Sequence, residues 1–384
     1  MENKKTKVCI LSLNRAEYSR LFTVIRELNK KDNIELQTVV LQTRYSNSKS
    51  LLERDGFSIT KEFFIDIKYR TSEEVAKFIG KATVKFTDIF LELKPDILII
   101  LGDRYESLAA VTAATYLNIY MVHIQGGEVS GTIDEHTRHA ITKFCHFHFP
   151  ATEQSRERII KLGEIPENVV CIGCPGTDLL LETPEFSFEE LRYQLYKMSG
   201  QRDFLEKLTP DYLLVVQFPM TTELGDSQSQ IEETLSALKG FKQPIVILKP
   251  NPDAGGDIVS RCIEKFGREN DNVLIAKHFP PYIFVNLMRQ AKVMIGNSSA
   301  GIRETGYFGL PTINIGNRQV GRERTVNIID IPNDAKLIEE EIKKQLEHGR
   351  YGTEQVYGDG TACKKIAEII PTLDYSKIQK KIVY

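Results

Sequence analysis

The 384-residue chain carries almost no net charge, −2 with histidine neutral. That excludes bulk electrostatic attraction to nucleic acid or to an anionic membrane surface. It has no apolar run approaching the roughly 20 residues that a membrane span needs. The opening Met1-Glu2-Asn3-Lys4-Lys5 leads straight into a strand pattern, with no apolar segment of a secretion signal. Six cysteines, at positions 9, 145, 171, 174, 262 and 363, are too sparse for a disulfide scaffold. A reduced, cytoplasmic setting is therefore expected. Cys171 and Cys174 form one CxxC, but no second Cys or His pair at zinc spacing accompanies it, so neither a metal nor a cofactor is expected. Internal repeats and low-complexity segments are also lacking.

What is present is alternation. With 41% hydrophobic and 27% charged residues the composition is that of a globular protein, and the length suffices for two domains. Val8–Leu13, Ile34–Leu41, Ile97–Leu101 and Tyr120–Ile124 read as strands, the later ones fully apolar, as strands buried on both faces are. Helical spacing follows most of them. Thr71-Ser-Glu-Glu is a capping box opening a long helix to Leu93. Strands at 146–150 and 168–172 flank a helix at 153–162. Residues 175–210 are less regular, and the domain boundary is placed at 180. Alternation restarts with strands Tyr212–Gln217, Ile245–Leu248, 273–275, Val293–Ile295 and Thr312–Ile315, and with a helix at 300–308. The fold class expected is α/β: two Rossmann-like, doubly wound domains, 1–180 and 181–384, facing a central cleft. The last helix, about 361–371, is expected to pack back on the first domain.

Each polar cluster lies just after a strand. His123 to His139 crowds Glu128, Asp134, Glu135, Arg138 and His139 around three glycines. So many ionisable groups at a strand exit point either to chemistry or to a solvated loop with a helix cap at Thr132 or Asp134. Asn14-Arg15-Ala16-Glu17 offers an arginine fork for an anion, or an Arg15–Glu17 pair. Gly102-Asp103-Arg104 supplies an acid/base carboxylate or an N-cap. Asn251-Pro252-Asp253 precedes another helix, with Asp253 a possible cap. Gly296-Asn297-Ser298-Ser299 opens the 300–308 helix, an anion site by its free N–H groups and positive end, with Glu304 one turn in. It is neither a Walker loop nor a GxGxxG fingerprint. Gly316-Asn317-Arg318-Gln319 and Arg322 add cations suited to phosphates, or form a solvated loop.

These stretches resemble the hydrolysing UDP-N-acetylglucosamine 2-epimerase family. The resemblance rests on Asn14–Tyr18, Gly102–Arg104, Gly126–Asp134, Arg138–Lys143, Gly296–Ser299 with Arg303-Glu304, and Arg318-Gln319 with Gly321-Arg322, in order from about residue 7 to 373. It implies the glycosyltransferase-B arrangement, and cleavage of a nucleotide-activated 2-acetamido sugar to the free 2-epimer and nucleoside diphosphate, for legionaminic or sialic acid. It implies elimination to a glycal and then hydration, with Asp103, Glu128, Asp134 and Arg138 as the catalytic set. Arg15, Gln125, Asn251, Asp253, His278, Ser298, Ser299, Glu304 and Arg318 are the implied binding set. A homo-oligomer, dimer or tetramer, is also implied. Two positions depart from the pattern. Gln125 stands where many members have Glu or His, and Phe218 where many have His before the proline. Both point to a less hydroxylated sugar such as N,N′-diacetylbacillosamine. Competing readings are a glycosyltransferase, a non-hydrolysing epimerase and a nucleotide-sugar-binding regulator.

Overall fold

The structure, a computed structural model, describes residues 5–44, 48–66, 72–199, 202–220, 222–250 and 255–383, without the side chains of 15, 16, 19, 72, 202 and 203. The chain forms two compact units. The first comprises Met1–Glu128, Ile133–Glu182 and Tyr357–Tyr384; the second comprises Val129–Thr132 and Thr183–Val356.

The first unit holds β1 (Thr6–Ser12), β2 (Ile34–Gln42), β3 (Lys61–Phe64), β4 (Ile97–Leu101), β5 (Tyr120–Ile124) and β6 (Phe147–Phe149). They lie in the order β3-β2-β1-β4-β5-β6, every pair parallel. β1 is buried on both faces because successive side chains alternate between two cores. Val8 and Ile10 pack on one side with Val24, Ile99 and Phe149; Cys9 and Leu11 pack on the other with Phe86, Leu98 and Ala110. The second unit holds β7 (Leu213–Val216), β8 (Ile245–Leu248), β9 (Val273–Ala276), β10 (Val293–Gly296), β11 (Thr312–Ile315) and β12 (Ile328–Ile331). Their order, β12-β11-β10-β7-β8-β9, is again wholly parallel. Each unit thus reverses direction once. The first strand and the fourth lie side by side, and their exits form the switch point where open α/β sheets take ligands. In the first unit that point lies between β1 and β4, in the second between β7 and β10.

Several elements differ from the sequence reading. Val169–Ile172 is not a strand; it makes only an isolated bridge, His148 with Val169. The helix read at 300–308 is an α-turn, Ala300–Arg303, followed by a 3-10 turn, Thr305–Phe308. The strand Ile328–Ile331 and the helix Ala335–His348 went unread. Thr71 of the capping box, Asn251 and Asp253 lie outside the described residues.

The C-terminal stretch belongs to the first core. Ala362, Cys363, Ile366, Ala367 and Ile370 pack with Val24 and Leu28. Asp178 accepts hydrogen bonds from the backbone N–H of Ala362 and Cys363, at 3.1 and 2.7 Å. Further on, Lys380 pairs with Glu164 at 2.7 Å and donates to the carbonyl of Lys143 at 3.0 Å and to that of Cys145. It thereby closes the C-terminal end of the Asp134–Phe144 helix. Burial alone would raise the Glu164 carboxyl, but hydrogen bonds from His148, Lys143 and Lys380 outweigh it and hold the group down to about 2.

Candidate active site

At the β4 exit the chain turns through Gly102, whose φ of +72° favours glycine. Asp103 follows. It is not a cap, because the cap position of the Tyr105–Tyr116 helix is Arg104 and makes no side-chain cap bond. Instead the Asp103 carboxylate takes a hydrogen bond from Arg138 Nη2. Arg138 is 1% exposed and gives its Nη1 to the Glu128 carbonyl at 2.8 Å. One buried guanidinium thus joins the β4 exit, the loop after β5 and the helix Asp134–Phe144. A buried guanidinium costs several kcal/mol unless it is paired and hydrogen-bonded, so the Arg138–Asp103 pair fixes the turn strongly. Asp134, part-buried, is the first residue of that helix, with Ile133 at the cap and no side-chain cap bond. Neither Thr132 nor Asp134 caps it.

Beside these sits the β1 exit. Asn14 caps the Arg15–Leu28 helix by accepting from the Glu17 N–H at 3.1 Å. Glu17 is 3% exposed, and its Oε1 has no hydrogen-bond partner among the described residues. Burial raises its carboxyl to about 8; Glu106 and Asp103 add to the rise, and Arg104 and Arg20 oppose it. Glu17 therefore carries a proton at neutral pH. Arg104 donates to the buried Glu106 carboxylate through Nη2 and Nε, at 3.1 and 3.2 Å. The Arg15 side chain lies outside the described part.

Gln125 meets this cluster through Arg20. It is 1% exposed, with φ of +64°. Its amide oxygen accepts from Arg20 at 2.9 Å, and its Nε2 donates to the Cys174 sulfur at 2.9 Å. Both ends of the carboxamide are committed to the protein. The local sequence could not show this, since Arg20 and Cys174 are remote along the chain. His123, read only as part of the same stretch, proves to be a buried connector. Burial pushes its ring down to about 3 and so keeps it neutral.

In the second unit the three neighbouring strand exits are tied together. Asn297 accepts from the Phe218 N–H at 2.7 Å and donates to the Phe218 carbonyl at 2.8 Å. Arg318 Nη1 and Gln319 Nε2 donate to the Asn297 carbonyl at 3.1 and 2.8 Å. The Arg318 guanidinium lies 5.0 Å from the centre of the Phe218 ring, a cation–π pair. Gly296 is obligatory: φ is +129°, and a Cβ there would meet the Val216 carbonyl at 2.2 Å. Ser298 accepts the Ala300 N–H at 3.3 Å, and Ser299 and Glu304 bracket the four-residue helical turn. So short a helix has little dipole, and an anion here would be held by discrete donors and by arginine. His278 is exposed beyond β9, the edge strand, two strands from the β7–β10 switch point. Sequence reasoning missed Glu17 as an acid, Arg20, the Asn297 clamp and the Phe218–Arg318 pair.

Among the described residues, no helix is long and apolar enough to cross a membrane. Residues 26–371 match the family model described as UDP-N-acetylglucosamine 2-epimerase. The chain is 33% identical to the UDP-N,N′-diacetylbacillosamine 2-epimerase (hydrolyzing) of Legionella pneumophila, over 98% of both chains. It is 32% identical to the GDP/UDP-N,N′-diacetylbacillosamine 2-epimerase (hydrolyzing) of Campylobacter jejuni, over 85% of this chain and 84% of that one. Its fold is similar to the crystal structure of UDP-GlcNAc 2-epimerase from Neisseria meningitidis bound to UDP-GlcNAc. The TM-score is 0.81 at 19% identity, covering 96% of this chain and all of the other. A match across most of the chain, with full-length relatives at this identity, establishes that this protein belongs to the UDP-N-acetylglucosamine 2-epimerase family.

Proposed function

We propose that the protein is a hydrolysing 2-epimerase of a nucleotide-activated 2-acetamido sugar. It releases the free 2-epimer and nucleoside diphosphate. The observation that carries this is the buried Arg138, which holds the Asp103 carboxylate and the Glu128 carbonyl at the first unit's switch point. The two hydrolysing relatives support the reaction class.

In the first step a carboxylate takes the C2 proton, the C1–O bond breaks with its electron pair on the diphosphate, and C1=C2 forms. In the second, water adds its oxygen to C1, and C2 receives a proton on the opposite face. Asp103, Glu128 and Asp134 share the proton work, and Arg138 keeps Asp103 aimed. Glu17, protonated at neutral pH, lies among the same charges. Ser298, Ser299, Glu304 and Arg318 take the nucleoside diphosphate, whose negative charge rises as it leaves; Arg15 stays in the binding set on the resemblance alone. Asn251, Asp253 and His278 remain in the proposed binding set on the resemblance alone.

The sugar proposed is N,N′-diacetylbacillosamine on UDP or GDP, and the product 2,4-diacetamido-2,4,6-trideoxymannose. The apolar Phe218 beside Arg318 supports it; Gln125, turned into the protein, does not. The reading also includes a homo-oligomer and a cytoplasmic setting, consistent with six free thiols.

NMR of the products from UDP-N,N′-diacetylbacillosamine, its GDP analogue and UDP-N-acetylglucosamine, in D2O, tests this. Free 2-epimer with deuterium at C2 is the expected result. Sugar released without C2 deuterium would mean simple hydrolysis, and turnover of UDP-N-acetylglucosamine alone would sink the substrate assignment.

A further inference from the structure

The Gly102 peptide, which aims Asp103, is held on both sides by β5. Its N–H donates to the Ile124 carbonyl at 2.9 Å. Its carbonyl lies 2.7 Å from His123 Nε2. A carbonyl only accepts, so Nε2 carries the ring proton. The ring is fully buried, and its other nitrogen, Nδ1, lies 3.2 Å from the Thr142 hydroxyl. In this tautomer Nδ1 is an acceptor, and the single Thr142 hydroxyl proton serves both it and the Arg138 carbonyl, 3.0 Å from the hydroxyl.

Thr142 sits one turn beyond Arg138, and Arg138 one turn beyond Asp134, so all three lie along one face of the helix. That face is fixed twice to the same short turn. Arg138 grips the Asp103 carboxylate, and Thr142, through His123, grips the peptide before it. Gly126 leaves the room for this. A Cβ there would meet His123 Nδ1 at 2.7 Å and the Thr142 hydroxyl at 3.0 Å.

We propose that His123 is a positioning residue for the epimerase reaction, its ring tying the Gly102 peptide to Thr142 and so holding Asp103 in register with Arg138 and Asp134. The proposal rests on the reading of Asp103 as a proton-transfer group. The imidazole exchanges no proton with the substrate. It sets where the carboxylate stands, and a misplacement of about 1 Å at such a group costs roughly 100-fold in rate.

The test uses the full chain with UDP-N,N′-diacetylbacillosamine as substrate. His123→Ala is expected to lower kcat ~100-fold while KM and the UDP dissociation constant stay within about twofold. His123→Gln, which can still offer an N–H toward Gly102, recovers most of that loss. Thr142→Val, which removes only the hydroxyl, costs kcat ~10-fold. Val111→Ala, a cavity in the same core, serves as the stability control. An unchanged kcat in His123→Ala, or a loss no larger than that of a control with the same fall in Tm, overturns the proposal. If His123→Ala does not fold, wild-type kcat in both His123→Gln and Thr142→Val overturns it.

Amide hydrogen exchange separates the two ideas. His123→Ala should lose protection at 102–106 and 134–144, with the second unit unchanged. If Asp103→Asn keeps full activity, the catalytic reading fails, while lost protection still upholds the tie. Unchanged protection removes the tie whatever the activity.

Discussion

The two units share a strand order and differ in what they place at its reversal. At the β1–β4 exits stand Glu17, Asp103, Arg104, Glu106 and Arg138, several of them buried and locked in pairs. At the β7–β10 exits stand neutral groups, Gln217, Asn297, Ser298 and Ser299, with Arg318 from the neighbouring loop laid over Phe218. The topology decides where a ligand can approach, and the side chains decide what can be done to it. Coupled, desolvated charges suit proton transfer, whereas hydroxyls, an amide clamp and a shared guanidinium suit holding an anion that must later leave.

That division can be broken at either unit. The largest expected effect is on chemistry. Asp103→Asn should lower kcat ~1,000-fold in a free-sugar release assay, with UDP affinity by calorimetry nearly unchanged. Equal loss of both would erase the distinction between the units. Asn297→Ala should act in the opposite sense. It removes two backbone hydrogen bonds, costing about 2 kcal/mol of stability by denaturant unfolding. UDP affinity should weaken with little change in the rate at saturation.

Glu17 sharpens the comparison through pH. Its carboxyl is raised to about 8, facing Arg104, Glu106, Arg20 and Asp103. Above that pH it ionises and adds negative charge beside two carboxylates, so kcat/KM should fall about tenfold per pH unit. Glu17→Gln should flatten this alkaline limb. The stability consequence has the same sign. A carboxyl whose folded value lies above its unfolded value favours the native state less as pH rises from about 4.5 through 8. Wild type should therefore lose stability relative to Glu17→Gln across that window. The smallest effect is at the second unit's ring. Phe218→Leu removes a cation–π contact of about 1 kcal/mol and should weaken UDP binding roughly fivefold.

Strand positions and the candidate carboxylates could be read along the chain because their signals are local. Apolar runs ending in Gly102-Asp103-Arg104 or Gly296-Asn297-Ser298 announce strand exits without any knowledge of partners. What escaped depends on contacts between remote residues. Gln125 reads along the chain as a substrate ligand, and its bonds to Arg20 and Cys174, 105 and 49 positions away, come only with the fold. Glu17 looks like an ordinary helix-start carboxylate, and only burial turns it into an acid. The strand at 328–331 is short and at the sheet edge, with Asp330 exposed in it, so its apolar signal is weak. The 300–308 segment has helical residues, but Gly306 and Gly309, the latter at φ of +55°, favour the tighter turn.

The return of the chain after Tyr357 to the first unit has a consequence for synthesis on the ribosome. Domains fold as units in the order they emerge. Here the unit that is begun first is completed last: Ile366, Ile370 and Lys380 reach it only after all of Thr183–Val356 has been made. Until then the apolar face that will meet Ile366 stays open, and the Asp134–Phe144 helix lacks the lysine that closes its end. The nascent first unit would therefore wait, open on one side, while the second folds, and the stretch after Tyr357 would be what sets the Asp134–Phe144 helix firmly in place.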